Sequence, residues 1–101
     1  MKTSLAGLRR QIDAVDRELL ALLNRRARLA LEAGRRKRAA GQGLRDPGRE
    51  EQVLAGARTR NGGPLSAAAI ERLFRAIVAE SCRMQARVSA KAGNGTRRAT
   101  P

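Results

Sequence analysis

Apolar side chains recur near the start of the chain at alternating steps of three and four, the spacing that keeps them on one face of an α-helix. This stripe comprises Leu5, Leu8, Ile12, Val15, Leu19 and Leu22. Its next position is Arg26, and apolar or small residues resume at Leu29 and Ala33. Because desolvating an unpaired cation costs on the order of several kcal/mol, Arg26 on a buried stripe predicts a carboxylate or an anionic ligand beside it.

The hydrophobic pattern predicts an all-α fold of three helices with no strand. Thr3 or Ser4 can cap the first helix, and Asp46 followed by Pro47 supplies a cap and a first helical residue for the second. The sequence Asn-Gly-Gly-Pro at 61–64 separates the second helix from the third. The predicted helices cover about residues 4–40, 46–60 and 66–88.

The first helix is long for so short a chain. At 1.5 Å per residue it would extend over about 50 Å, and it cannot fold back on itself. Phe74 is the only aromatic residue among 101, so the chain's own core would be small and we expect a second copy to pack along the helix. Residues 1–88 are predicted to form one helical domain. The Ser, Lys, Gly, Asn, Thr and Arg of residues 89–101 predict a disordered basic tail.

A second cation shares the helix face of Arg26. Lys37 follows eleven residues later, which at about 100° per residue returns it to within about 20° of the same direction, about 16 Å along the axis. Between them that face carries the small residues Ala30, Ala33 and Gly34. Two cations separated by small side chains predict a cavity floor for a small molecule with two negative groups.

Polar residues also interrupt the apolar faces of the other two helices. Glu50 shares the face of Val53 and Leu54, while Ser81 and Gln85 interrupt the stripe of the third helix. The chain has no His, so Ser81 has no imidazole to activate it as a nucleophile. Fixed donors and cations can still hold a dianion and stabilise charge that develops on an oxygen. These residues therefore favour catalysis by electrostatic preorganisation.

The composition limits the possible partners. The chain carries 22 Lys and Arg against 9 Asp and Glu, a net charge of +13, which would attract polyanions and steer small anions toward a basic pocket. The absence of His argues against a zinc or iron site, and no metal or cofactor is expected. Cys82, the lone cysteine, is interpreted as a buried small apolar residue. No apolar run suits a signal peptide or a membrane span, so we expect a cytoplasmic protein with no membrane partner.

The ordered set of motifs resembles the all-helical, AroQ-type (type II) class of chorismate mutases over about residues 5–88. The segments that carry the resemblance are Leu8-Arg9-Arg10-Gln11-Ile12-Asp13, Leu19 to Arg26, Gly34-Arg35-Arg36-Lys37, Arg45 to Glu50, Arg72-Leu73-Phe74, and Ser81 with Gln85. The resemblance implies an intertwined homodimer of three-helix chains. It also implies conversion of chorismate to prephenate, an intramolecular Claisen rearrangement, without a cofactor.

The resemblance assigns the substrate's carboxylates and its ether oxygen to four residues. Arg26 and Arg9 of the partner subunit would bind the two carboxylates. Lys37 and Gln85 would donate hydrogen bonds to the ether oxygen, with Lys37 also near a carboxylate.

Four more residues receive roles in the same way. Glu50, helped by the backbone around Asp46, would hold the ring hydroxyl group. Ser81 would contact a carboxylate, and Arg49 would order the rim of the site.

Helix geometry constrains the part that Arg9 can play. Arg9 precedes Arg26 by seventeen residues, which places it about 25 Å away along the axis and about 100° around it. It cannot reach the site of its own chain, so any site it serves must belong to an antiparallel second subunit. The alternative for Arg9 is an ion pair with Asp13, four residues later on the same helix.

Two related activities use closely similar pockets on this fold, those of isochorismate-pyruvate lyases and of mutases acting on 4-amino-4-deoxychorismate. The Arg-Asp-x-x-Arg-Glu opening of the second helix, residues 45–50, is more similar to the chorismate mutases. The choice between a ring hydroxyl and a ring amine rests on one or two contacts near Glu50, and the sequence leaves it open.

Two hypotheses without catalysis compete with the enzyme. A small basic nucleic-acid-binding protein would explain the charge and the tail, but the chain lacks aromatic residues for base stacking and any helix-turn-helix or RNA-binding motif. A purely structural helical dimer would predict that Arg26→Leu stabilises the protein. The enzyme hypothesis predicts that removing Arg26 abolishes activity while the fold is retained.

Overall fold

The computed structural model describes residues 3–99, with side chains described as far as Lys91. Within that range the chain forms three helices and no strand: α1 (Leu5–Ala39), α2 (Pro47–Arg60) and α3 (Ala67–Ala99). The predicted all-α class with a long first helix is confirmed. The molecule is elongated, with principal extents of 70 × 27 × 16 Å, because α1 has 35 residues and α3 has 33.

The ends of α1 are closed by local hydrogen bonds. The hydroxyl oxygen of Ser4 accepts from the backbone N–H of Gly7 at 3.0 Å and caps the N terminus. Beyond the C terminus Gly41 has a φ of 73°, a left-handed conformation that glycine adopts without strain. The N–H of Gln42 then donates to the carbonyl of Lys37 at 2.8 Å. The helix therefore ends at Ala39, two residues after Lys37.

Side chains also cap the two later helices, and the cap of α2 is the one that the sequence predicts. The side chain of Asp46 accepts from the N–H of Arg49 at 3.1 Å, and Pro47 is the first residue of α2. The hydroxyl oxygen of Ser66 accepts from the N–H of Ala69 at 3.1 Å at the start of α3. These caps fix the residues at which α2 and α3 begin.

α3 is the central helix. It packs against both α1 and α2, which make no close backbone approach to each other within residues 3–99. Leu54 of α2, 2% exposed, is the one buried apolar side chain among those described, and Gln85 of α3, 8% exposed, is the buried polar one. A core of this size is small even for a short chain.

The apolar stripe of α1 is exposed in the single chain. Its large side chains are between 46% and 62% exposed at Leu5, Leu8, Ile12, Val15, Leu19, Leu22 and Leu29. Leu73, predicted on the apolar stripe of α3, is 53% exposed. The sequence predicted that a second copy packs along this stripe; one chain by itself leaves it uncovered, and its cover by a second copy stays a prediction. The hydrogen bonds between α3 and α1 lie at Arg26 and Ala30, in the second half of α1.

The C-terminal boundary also differs from the prediction. The third helix was expected to end near residue 88, followed by a disordered tail over 89–101, but α3 continues to Ala99. The composition of residues 89–101 shows only that this segment can bury little apolar surface. A helix needs only its own backbone hydrogen bonds to continue, and Ala and Lys at 90–92 are good helix formers. Residues 100–101 lie outside the described range.

The position of Leu54 makes it the residue whose truncation should cost most. We expect Leu54→Ala to lower the free energy of unfolding by about 2–5 kcal/mol, because the substitution removes buried methyl groups and leaves a cavity. The matched control is Leu65→Ala, at a leucine 51% exposed, which should change it by less than about 1 kcal/mol. Urea unfolding of both variants measures the difference, and equal losses would contradict the assignment of Leu54 to the core.

Candidate active site

A cavity of about 380 Å³ lies between the second half of α1, the start of α2 and the middle of α3. Its volume is within the usual range for small-molecule sites. Seven of the eight predicted site residues line it: Arg26, Lys37, Asp46, Arg49, Glu50, Ser81 and Gln85. The remaining walls are mostly apolar: Leu29, Ala30, Ala33, Leu44, Val53, Val78 and Cys82. The structure thus brings together residues that the sequence separates by up to 59 positions, from Arg26 to Gln85.

Arg26 occupies one end of the cavity and is held by a hydroxyl group. Its Nη1 donates to Oγ of Ser81 at 2.8 Å, and Ser81 in turn donates to the carbonyl of Ile77 at 3.1 Å. None of the ion pairs among the described residues involves Arg26. The sequence allowed either a carboxylate or an anionic ligand beside Arg26. No carboxylate of the described residues pairs with it, so the charge of Arg26 is available to an anion.

Lys37 occupies the other end in a similar way. Its Nζ donates to the carbonyl of Leu44 at 2.7 Å, which ties the end of α1 to the loop before α2. An ammonium group has three donors, so two remain for a ligand. Within the described range Lys37, like Arg26, forms no ion pair with a carboxylate.

Gln85 is fixed by the closest contact between α1 and α3. Its Nε2 donates to the carbonyl of Ala30 at 2.6 Å, which leaves the second N–H of the amide for the cavity. Gly34 makes this approach possible, because a Cβ built on it would lie 3.2 Å from Cγ of Gln85. Helix periodicity marks Gly34 only as a small residue on the cavity face and does not predict this interhelical contact.

Glu50 forms the carboxylate wall of the cavity. Arg45 donates to both of its oxygens, from Nε to Oε2 at 2.9 Å and from Nη2 to Oε1 at 3.2 Å. These hydrogen bonds, and the attraction between the two charges, raise the pKa of the Arg45 guanidinium. Carboxylate oxygens accept hydrogen bonds, so Glu50 can accept one from a ligand in the cavity.

The remaining predicted residues have local partners. Asp46 caps α2, so its carboxylate faces the N–H of Arg49. The Nη1 of Arg49 donates to Oε1 of Gln52 at 3.5 Å, three residues further along α2. Cys82, expected to be buried, is instead only partly buried and lines the cavity, with Sγ 4.0 Å from Oε2 of Glu50.

Arg9 does not belong to this cavity. It is exposed on the first third of α1 and is absent from the lining, as the helix geometry required for a single chain.

Arg45 lies in one of the motifs of the sequence but received no predicted role. Its spacing, five residues before Glu50, is the signal that could have identified it as the partner of Glu50.

The described residues offer neither a membrane span nor a cluster of metal ligands. No helix in the described part of the chain is long and apolar enough to cross a membrane. Among the described residues, no three His, Cys, Asp or Glu side chains come together in a cluster that could hold a metal ion.

Comparison with known proteins gives consistent matches. The family model described as chorismate mutase type II matches residues 8–86. A solved structure titled chorismate mutase, form II, from Thermus thermophilus is 38% identical, covering 82% of this chain and 94% of that one, with a TM-score of 0.80. A second structure from the same organism, titled form I, is 40% identical over 76% of this chain and 96% of that one, with a TM-score of 0.75. No curated protein sequence matches the chain.

The contact between Gly34 and Gln85 can be tested through stability. A Gly→Ala substitution inside a helix gains up to about 1 kcal/mol where the new methyl group has room, and we expect the half-buried Gly56→Ala to show such a gain because its Cβ would meet only the flexible end of Arg60. At Gly34 the new methyl group would press on the buried Gln85 side chain, so the free energy of unfolding should not rise. Urea unfolding measures both changes, and an equal gain at the two sites would contradict the close contact.

Proposed function

The chain belongs to the chorismate mutase type II family, a family of isomerases, and on that premise we propose that its cavity rearranges chorismate to prephenate. The observation that carries the proposal is the pair of cations at the two ends of the cavity, Arg26 and Lys37, which are held by neutral oxygens and have no carboxylate partner among the described residues. Chorismate carries two carboxylates, and such a cavity suits a small dianion.

The reaction needs no group that the cavity lacks. In chorismate the bond between the ether oxygen and the ring breaks while a carbon–carbon bond forms between the side chain and the ring. No atom enters or leaves, and no proton or electron is exchanged with the protein. The protein must hold the substrate in the folded conformation and stabilise the negative charge that grows on the ether oxygen.

The donors of the cavity fit those two tasks. Arg26 would bind one carboxylate, with its guanidinium held in place by the hydroxyl of Ser81. Gln85 would donate its free amide N–H to the ether oxygen, since the other N–H is fixed on Ala30. Lys37 would donate to the same oxygen and lie near a carboxylate. Because these donors are already oriented, little reorganisation is needed in the transition state.

The other residues would hold the ring. Glu50, held by two hydrogen bonds from Arg45, would accept a hydrogen bond from the ring hydroxyl group, beside the backbone around Asp46. Arg49 would order the rim. Ser81 would contact a carboxylate as well as supporting Arg26, and for that its hydroxyl proton must turn away from the carbonyl of Ile77.

We further propose that the working protein is a homodimer in which a second chain covers the exposed stripe of α1. Seven large apolar residues in one line are unusual on a free surface, and a self-complementary helix face of this kind favours a two-fold dimer. An antiparallel second α1 would bring Arg9 of the partner subunit toward the Arg26 end of the cavity. That arrangement would add Arg9 of the partner subunit as a ligand of the second carboxylate, a position that Arg9 of the same chain cannot reach.

The activity is tested by incubating the purified protein with chorismate, following the loss of its ultraviolet absorbance and identifying the product by chromatography. We expect prephenate from the wild type, and a loss of about 100-fold or more in kcat for Arg26→Ala and for Gln85→Ala, because each removes a donor to developing or bound charge. The control is Arg28→Ala, an exposed arginine on the same helix outside the cavity, which should keep wild-type activity.

Three outcomes would contradict this account. Equal activity in Arg26→Ala and Arg28→Ala would remove Arg26 from the site. Absence of prephenate with a folded dimer would overturn the chorismate assignment. Turnover of isochorismate or 4-amino-4-deoxychorismate in its place would assign the same cavity to a related reaction.

The dimer is tested by mixing inactive variants. Co-refolding Arg9→Ala with Arg26→Ala should restore about a quarter of the wild-type activity, because half of the dimers are mixed and each mixed dimer has one intact site. The control mixture, Arg26→Ala with Gln85→Ala, should restore nothing, since both residues serve the site of their own chain. Recovery in the control, or none in the test mixture, would contradict a site shared between subunits.

A further inference from the structure

Arg45 makes a two-pronged contact with Glu50 from the loop that joins α1 to α2. Its Nε lies 2.9 Å from Oε2 and its Nη2 lies 3.2 Å from Oε1 of the carboxylate. A guanidinium that donates two parallel hydrogen bonds fixes the orientation of a carboxylate as well as its charge. We infer that Arg45 is a positioning residue, which holds Glu50 in the orientation that receives the substrate's ring hydroxyl group. The inference rests on the proposed function.

Arg45 reaches Glu50 from outside the substrate cavity. It is absent from the lining of the 380 Å³ cavity and lines a neighbouring cavity of about 470 Å³ between α2 and α3. The two cavities share Glu50, Val78 and Cys82 as their common wall. Arg45 therefore lies behind Glu50 as seen from the substrate, and any effect it has on the reaction must act through that carboxylate.

The hydrogen-bonding capacity of Glu50 allows it to contact Arg45 and a ligand at the same time. A carboxylate has about four lone-pair sites, and the two prongs of Arg45 use one on each oxygen. The sites that remain can accept from a ligand hydroxyl in the cavity. Without Arg45 the side chain of Glu50 could rotate about its bonds, and binding substrate would then have to fix those rotations.

The exposure of Arg45 and Glu50 distinguishes a role of Arg45 in positioning Glu50 from a role in the stability of the fold. The Arg45 side chain is 69% exposed, whereas that of Glu50 is 23% exposed. An ion pair with one partner so open to water contributes little to folding. A defect in an Arg45 variant should therefore appear in catalysis while the unfolding midpoint stays unchanged.

The test measures kcat, KM and unfolding for Arg45→Ala, Arg45→Lys and Glu50→Gln, with Arg75→Ala as the matched control. Arg75 lines the same neighbouring cavity but pairs with Glu71, so its removal leaves Glu50 untouched. We expect Arg45→Ala to lower kcat/KM for chorismate by about 10- to 100-fold, as a misplaced contact group does. Arg45→Lys should recover part of the loss, because lysine keeps the charge but not the two-pronged geometry.

A double variant separates positioning from other effects. If Arg45 acts only through Glu50, Arg45→Ala in the Glu50→Gln background should cause little further loss. Wild-type activity in Arg45→Ala beside an impaired Glu50→Gln would overturn the inference, as would additive losses, a loss equal to that of Arg75→Ala, or full activity in Glu50→Gln. An inactive wild type would instead overturn the proposed function, and the inference with it.

Discussion

The contact between Gln85 and Ala30 is the interaction on which the rest of the site depends. It joins α3 to α1 through a 2.6 Å hydrogen bond, and it is possible because Gly34 leaves room for the Gln85 side chain. This contact sets the spacing of the two helices and thus the width of the cavity between them. It also commits one N–H of the amide to structure and leaves the other for a ligand, so one residue joins the fold to the chemistry.

The charges of the cavity are arranged so that its positive groups stay available. Arg26 and Lys37 are held by a hydroxyl and a carbonyl oxygen, which orient a cation without neutralising it. The carboxylate of Glu50 lines the cavity but is already paired with Arg45, which lies outside it. A dianion that enters therefore meets two unneutralised cations, and the net charge of +13 would steer it there. The exposed stripe of α1 is the face that the proposed second chain would cover.

The sequence predicted the parts of the site that depend on helix periodicity. Arg26 could be found because it interrupts an apolar stripe, and Lys37 because eleven residues return it to the same face. Partners set by tertiary geometry could not be found in this way. The Arg45 contact depends on the path of a loop, and the close approach at Gly34 depends on how two helices cross. Periodicity also showed that the α1 stripe needs cover, and the length of the helix led to the prediction of a second copy there; the single chain leaves the stripe exposed.

A crystal structure with a stable bicyclic ether dicarboxylate, shaped like the transition state, would test the central claim most directly, since such analogues bind tightly to a site built for the transition state. The account predicts the analogue in the cavity, with one carboxylate on Arg26, its ether oxygen within hydrogen-bond distance of Lys37 and Gln85, and a second chain against the α1 stripe. An analogue bound elsewhere, or bound in this cavity without contact to Arg26 and Gln85, would contradict it.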